Sequence, residues 1–176
     1  MNLRQQQIMA RFAGKLEQLI EWVGQLTSWL VLAMVLITTI VVLLRYLFDM
    51  GWIALQESIS YLHSAVFLIG ASYTLKHDGH VRVDIFYDRL SIRAKAWVDL
   101  AGHLFILMPV MVFIFWVSWP YVMDSWQVQE SSREAGGLPG VYLLKSLILL
   151  MAGLLLLQGL ALVLKAIVKI SGKEAA

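Results

Sequence analysis

Four apolar runs constrain this chain more than any other feature: Trp22–Leu44, Ile53–Leu75, Trp97–Trp119 and Val141–Leu164. Each is long enough to cross a bilayer, which takes about 20 apolar residues in helical form. Inside hydrocarbon a segment must satisfy its own backbone hydrogen bonds, and an α-helix does so. A transmembrane barrel would alternate apolar and polar residues, and these runs do not. The expected fold is therefore an all-α membrane protein with four transmembrane helices in a single membrane domain, residues 1–176. Composition agrees, because only 15% of the residues are charged, against about 25% in soluble domains.

Lys and Arg fix the expected orientation. Arg4, Arg11, Lys15, Lys76, Arg82, Arg89, Arg93, Lys95, Lys165, Lys169 and Lys173 lie in the two tails and the second connection. Arg45 and Arg133 alone lie in the first and third connections, and Lys145 lies inside the fourth run. The positive-inside rule then places both termini and the second connection in the cytoplasm, N-in and C-in, of a bacterial inner membrane. The apolar run after the basic N-terminal tail exceeds a signal-peptide core, so it reads as an uncleaved anchor.

Two amphipathic segments flank the spans. In residues 1–21, Ile8, Met9, Phe12, Leu16, Leu19 and Ile20 fall on one face. This segment either lies on the membrane or extends the first span as a long tilted helix. The cytoplasmic connection 79–96 follows Gly79, which is expected to end the second helix in a left-handed cap. The stretch "DIFYDRLSIRAKAW" then reads as a short helix lying along the inner surface.

Polar residues inside the spans suggest contacts rather than chemistry. Gln56, Ser60, His63, Ser64, Phe67, Gly70, Ala71 and Thr74 recur at helical spacing on one face of the second span. Small and hydrogen-bonding side chains at that spacing favour helix packing, so this face should meet protein. Glu57 and Arg45 share a depth and either pair or stay separately solvated. Lys145 either snorkels to the interface or meets a partner on another helix. Gln158, beside Gly159, reads as a packing contact.

Sharper readings find less support. His77-x-x-His80 with Asp78 and Asp84 resembles a metal-ligand spacing, but Gly79 interrupts it and no second ligand cluster follows. A b-type cytochrome needs axial ligands at matching depth. His63 and His103 differ by roughly 9 Å at about 1.5 Å per residue. No phosphate loop or catalytic constellation is evident, and a net charge of +2 with no basic–aromatic patch argues against nucleic acid. Cysteine is absent, which removes disulfides and thiolate sites. No internal repeat supports a complete alternating-access transporter. No enzyme activity and no cofactor are expected.

The stretch "RYLFDMGWIALQESISYLHSAVFLIGASYTLKHDGHVRVDIFYDRLS" resembles the small membrane subunit (DctQ-like) of tripartite ATP-independent periplasmic (TRAP) transporters. The matching features are Arg45-Tyr46, Glu57, Ile69-Gly70-Ala71 and Gly79-His80-Val81-Arg82-Val83-Asp84, then Glu130, Ser131, Pro139, Lys145 and Gln158. Gln56 stands where many members carry a second acidic residue. The resemblance implies a four-helix subunit that braces a large multi-span membrane subunit. That partner carries the substrate and sodium sites. A periplasmic substrate-binding protein delivers an organic acid, and an ion gradient drives uptake. It further implies that Gly79, His80, Arg82 and Asp84 form a turn fastened to neighbouring helices or membrane lipids. The alternatives from other classes are an unrelated four-helix membrane scaffold and a b-type cytochrome subunit.

Overall fold

The computed structural model describes residues 2–81 and 84–171, apart from the side chains of Asp84 and Phe86. Among these residues the chain is all-helical. Four long helices, α1 (Leu3–Phe48), α2 (Ile53–Lys76), α4 (Ile92–Gln127) and α5 (Val141–Ser171), are joined by short connections; a single helical turn, α3 (Asp84–Tyr87), precedes α4. Three of them, α1, α4 and α5, are long and apolar enough to cross a membrane. Helix α2 has the length, but Gln56, Glu57, Ser60 and His63 dilute its apolar character.

Helix α1 runs unbroken for 46 residues, roughly 69 Å at 1.5 Å per residue. That is more than twice a hydrocarbon core of about 30 Å. The amphipathic N-terminal segment is therefore the first part of this rod, not a separate surface helix. Its expected apolar face divides: Ile20 is buried and Met9 and Leu16 are half-buried, whereas Ile8, Phe12 and Leu19 are exposed; Ala13, outside that expectation, is buried too. The buried half runs beside the end of α5. There Lys165 pairs with Glu17, and the Gln6 side-chain amide donates to the Ser171 carbonyl at 3.3 Å. At its far end α1 stops at Asp49, which adopts φ 54°.

The connection before α4 is not one amphipathic helix. The turn Asp84–Tyr87 closes with the Leu90 amide donating to the Tyr87 carbonyl at 3.0 Å. Ser91 then caps α4, its hydroxyl accepting from the Ala94 amide at 3.2 Å. A serine oxygen in that position satisfies an otherwise orphaned helix donor, so a new helix starts there. Ile92 to Trp97 consequently belong to the long helix. Farther along, α4 contains one widened π-turn, His103–Leu107, in which the Met108 amide reaches the His103 carbonyl. The turn abuts Pro109, which lacks the N–H that would serve the carbonyl four residues back.

Helix α5 is the hub, packing against α1, α2 and α4. Its buried residues, among them Ala152, Leu154, Leu155, Gln158, Ala161 and Val163, give it the largest share of the core of any helix. Helices α1 and α4 instead present rows of exposed large apolar residues, including Val35, Ile40, Phe105, Phe113 and Trp116. On a membrane protein such rows face lipid or another protein.

Candidate functional site

Two polar clusters hold the ends of the bundle, and one polar face lies between them. The first cluster sits at the end carrying the connection 128–140. Glu57 of α2 accepts from the Ser132 hydroxyl and from the Leu138 backbone amide at 2.6 Å. The connection also closes on itself: the Ser132 amide donates to Leu138 O at 3.0 Å and the Val141 amide to Glu130 O at 3.0 Å. Gly137 permits the latch by absence of a side chain. A Cβ there would lie 2.5 Å from Ser132 Oγ and 2.8 Å from Glu57 Oε1.

Lys145 is fixed rather than snorkelling. Its ammonium sits 2.5 Å from Glu130 Oε2 and 4.0 Å from the centre of the Tyr121 ring. The Ser125 hydroxyl donates to the same carboxylate oxygen at 2.6 Å. The Lys145 hydrogen bond first, and that of Ser125 second, hold the Glu130 carboxyl below the usual carboxylate range. Glu57 and Arg45 do not pair. Arg45 closes the last turn of α1, where a cation suits the helix dipole, while Glu57 turns to the connection.

The opposite end is fastened helix to helix. Glu21 of α1 meets Lys76 Nζ at 2.5 Å and His77 Nε2 at 2.9 Å, both at the end of α2. One turn along α1, Gly24 lies against the Tyr73 ring, and a Cβ there would fall 2.1 Å from a ring carbon. The end of α2 differs from expectation. Asp78, not Gly79, takes the left-handed conformation, at φ 51°. The Gly79 amide then reaches the Thr74 carbonyl at 2.9 Å, the bond of a Schellman cap. Asp is among the few non-glycine residues that visit this region readily. Gly79 contributes close approach, since a Cβ would meet Thr74 at 3.0 Å.

His77 and His80 have separate surroundings. His77 packs on Glu21 and the Tyr73 ring, whereas His80 lines a cavity of about 560 Å³ between α1 and α2 that Gly70 also lines. Among the described residues no three His, Asp or Glu side chains converge on one point. Arg82 and the side chain of Asp84, both expected to fasten this turn, lie outside the described residues. His103 uses Nδ1 on the Asp99 carbonyl at 2.5 Å, and His63 lies near Phe67 on α2 with ring centres 6.5 Å apart.

The expected polar face of α2 divides: Gln56, Ser60, His63 and Phe67 are exposed, whereas Ser64, Gly70, Ala71 and Thr74 are half-buried. Ser72, outside that expectation, is buried and its hydroxyl donates back to the Ile69 carbonyl at 3.0 Å. Gln158 is wholly buried on α5, and neither of its amide atoms has a hydrogen-bond partner among the described residues. Sequence reasoning missed Gly24, Ser132 and Gly137. Their roles depend on a distant partner, which no local spacing encodes.

No curated protein and no solved structure matches the chain significantly. A family model does match, over residues 34–169, covering α2, α4, the last third of α1 and all but the final two residues of α5. It describes the DctQ component of tripartite ATP-independent periplasmic transporters, a transporter component and not an enzyme family. With more than three-quarters of the sequence inside that match, the chain belongs to the DctQ family and is a small membrane component of a TRAP transporter.

Proposed function

We propose that this chain crosses the bacterial inner membrane four times, with both termini in the cytoplasm, and braces the large membrane subunit of its transporter. The reading extends to ion-gradient-driven uptake, with sodium as the coupling ion, of an organic acid handed over by a periplasmic binding protein. Family membership supports the assembly. The observation that carries the bracing role is the α2 face of Gln56, Ser60 and His63, exposed along a helix surrounded by apolar neighbours. Polar side chains within a bilayer are costly unless another protein group receives them. A partner helix bearing hydrogen-bonding residues relieves that cost, and lipid tails do not. The 24-residue α2 reaches roughly 36 Å, enough to span. Eleven Lys and Arg in the tails and second connection, against only Arg45 and Arg133 in the first and third connections, support the orientation. Arg45, Glu57, Gly70, Gly79, His80, Arg82, Asp84, Lys145 and Gln158 then act as structural or interface residues.

Affinity purification from membranes in mild detergent tests the assembly. A stoichiometric multi-span partner is the expected companion, and recovery of the chain alone would defeat the reading. The chain has no cysteine, so Ser60→Cys and His63→Cys give clean cross-linking sites. Both should link to that partner, whereas Val35→Cys on α1 serves as the comparison.

A further inference from the structure

The first part of α1 carries a surface that neither the bundle nor a bilayer covers. At about 100° per residue, Arg4, Ile8, Arg11, Phe12, Lys15 and Leu19 fall within an arc of roughly 100° on one side of the helix. Ala13 and Ile20, buried against the bundle, lie on the other side. Ile8, Phe12 and Leu19 are 58%, 50% and 44% exposed, so the apolar part of the ridge is open along its length. Arg4, Arg11 and Lys15 are exposed beside them, and no ion pair among the described residues engages any of the three. The acids of the stretch are engaged elsewhere: Glu17 holds Lys165, and Glu21 holds Lys76 and His77. The ridge is therefore apolar along one edge and purely cationic along the other.

Lipid does not reach it. The apolar run Trp22–Leu44 follows the ridge and spans roughly 34 Å at 1.5 Å per residue, enough by itself for a hydrocarbon core of about 30 Å. Ile8 lies roughly 21 Å farther along the rod. At a tilt of about 40°, the upper end of the usual range, it still stands roughly 16 Å beyond the core, outside a headgroup layer of about 5–8 Å. A segment lying in the interface would have to bend away from the span, but α1 is unbroken from Leu3 to Phe48 and clasped to α5 through Glu17 and Gln6. A second copy of the chain fits no better. Two copies would meet through the same patch, and Arg4, Arg11 and Lys15 would face their own equivalents at a cost. The complement of an apolar edge beside a cationic edge is a helix whose apolar stripe is flanked by carboxylates.

We propose that this ridge docks an acidic amphipathic helix of the large membrane subunit, on the side of the membrane where α1 and α5 come together. The inference rests on the proposed assembly with that subunit. Apolar residues of the docked helix cover Ile8, Phe12 and Leu19, and its carboxylates answer Arg4, Arg11 and Lys15. Charge at such a contact sets register and partner choice more than affinity.

The absence of cysteine allows a direct test. Phe12→Cys, carrying a benzophenone maleimide, is photo-cross-linked in native membranes that hold the whole transporter, and the joined peptides are sequenced by mass spectrometry. The expected adduct is with the large subunit, at a segment whose Asp or Glu residues flank apolar positions at helical spacing. Ala10→Cys, exposed on another side of the helix, should give little. Arg11→Glu combined with Lys15→Glu, at an unchanged melting temperature, should lower the Phe12 adduct about tenfold, the effect of losing two exposed ion pairs. If that variant melts early, raised salt on the unreversed Phe12→Cys chain screens the same contacts and should lower the adduct likewise. A yield indifferent to charge reversal or salt overturns the proposal. So does an adduct with phospholipid, with a second copy of this chain, or with a segment lacking acidic residues, and so does a Phe12 yield no higher than that of Ala10. The His63→Cys link separates the two readings. Its presence without a Phe12 adduct overturns this inference alone, and the absence of both overturns the assembly as well.

Discussion

The two ends of the bundle are held by different means. At the connection end, a loop is latched to helices: Glu57 takes the Leu138 backbone amide and the Ser132 hydroxyl, and Glu130 takes Lys145 and Ser125. At the tail end, helices are fastened to one another by Glu21 with Lys76 and His77, Glu17 with Lys165, and the Gly24–Tyr73 contact. A carboxylate that receives a backbone amide fixes chain geometry as well as charge. Side-chain ion pairs between long residues fix much less, and exposed ones contribute little. The tail end therefore depends on close packing at Gly24, and the connection end depends on two carboxylates.

The largest expected effect breaks that packing. Gly24→Val drives a branched side chain into the Tyr73 ring and should destabilise the protein by about 1–3 kcal/mol, the usual cost of overpacking. Thermal unfolding in detergent measures it, and an unchanged midpoint would mean that α1 and α2 slide apart freely. Next, Glu57→Ala removes both acceptors of the latch. Limited proteolysis should then cut within 128–140 in the variant and spare the wild-type connection.

Glu130→Gln sharpens the comparison through pH. The Glu130 carboxyl lies below its ordinary value because Lys145 and Ser125 favour its charged form. Its folded pKa being the lower one, its contribution is complete above the unfolded carboxylate pKa of about 4.3. That contribution is lost as pH falls through the folded value. The melting difference between wild type and Glu130→Gln should thus be constant near neutrality and shrink in acid. The smallest effect is expected from Glu21→Gln, which removes ion pairs from a packed helix contact. A shift as large as that of Gly24→Val would show that charge and not packing holds the tail end.

Much of the helical layout was legible in residues alone, because a bilayer imposes a length and a hydropathy that sequence displays directly. The exposed line of Gln56, Ser60 and His63 was legible through helical spacing. The fate of the N-terminal segment was not, since a surface helix and a continued rod bury the same amphipathic face. Local chemistry misled at Gly79, where Asp78 takes the left-handed position and the glycine serves close approach instead. The Glu57–Arg45 pairing failed because nearness in depth says nothing of a loop folded back from 75 residues away. Gly24 was illegible because a glycine in an apolar helix signals nothing until Tyr73 is placed beside it.

The unbroken α1 has a mechanical consequence. It contains no proline across its 46 residues, and its first part is clasped to α5 through Glu17–Lys165 and Gln6–Ser171. A rod held along its first half, by α5 and then by α2 at Glu21 and Gly24, and passing through a slab behaves as a lever pivoting there. A protein gripping its N-terminal portion would swing the Arg45 end on the far side in the opposite sense, with no signal needing to pass through the packed interior.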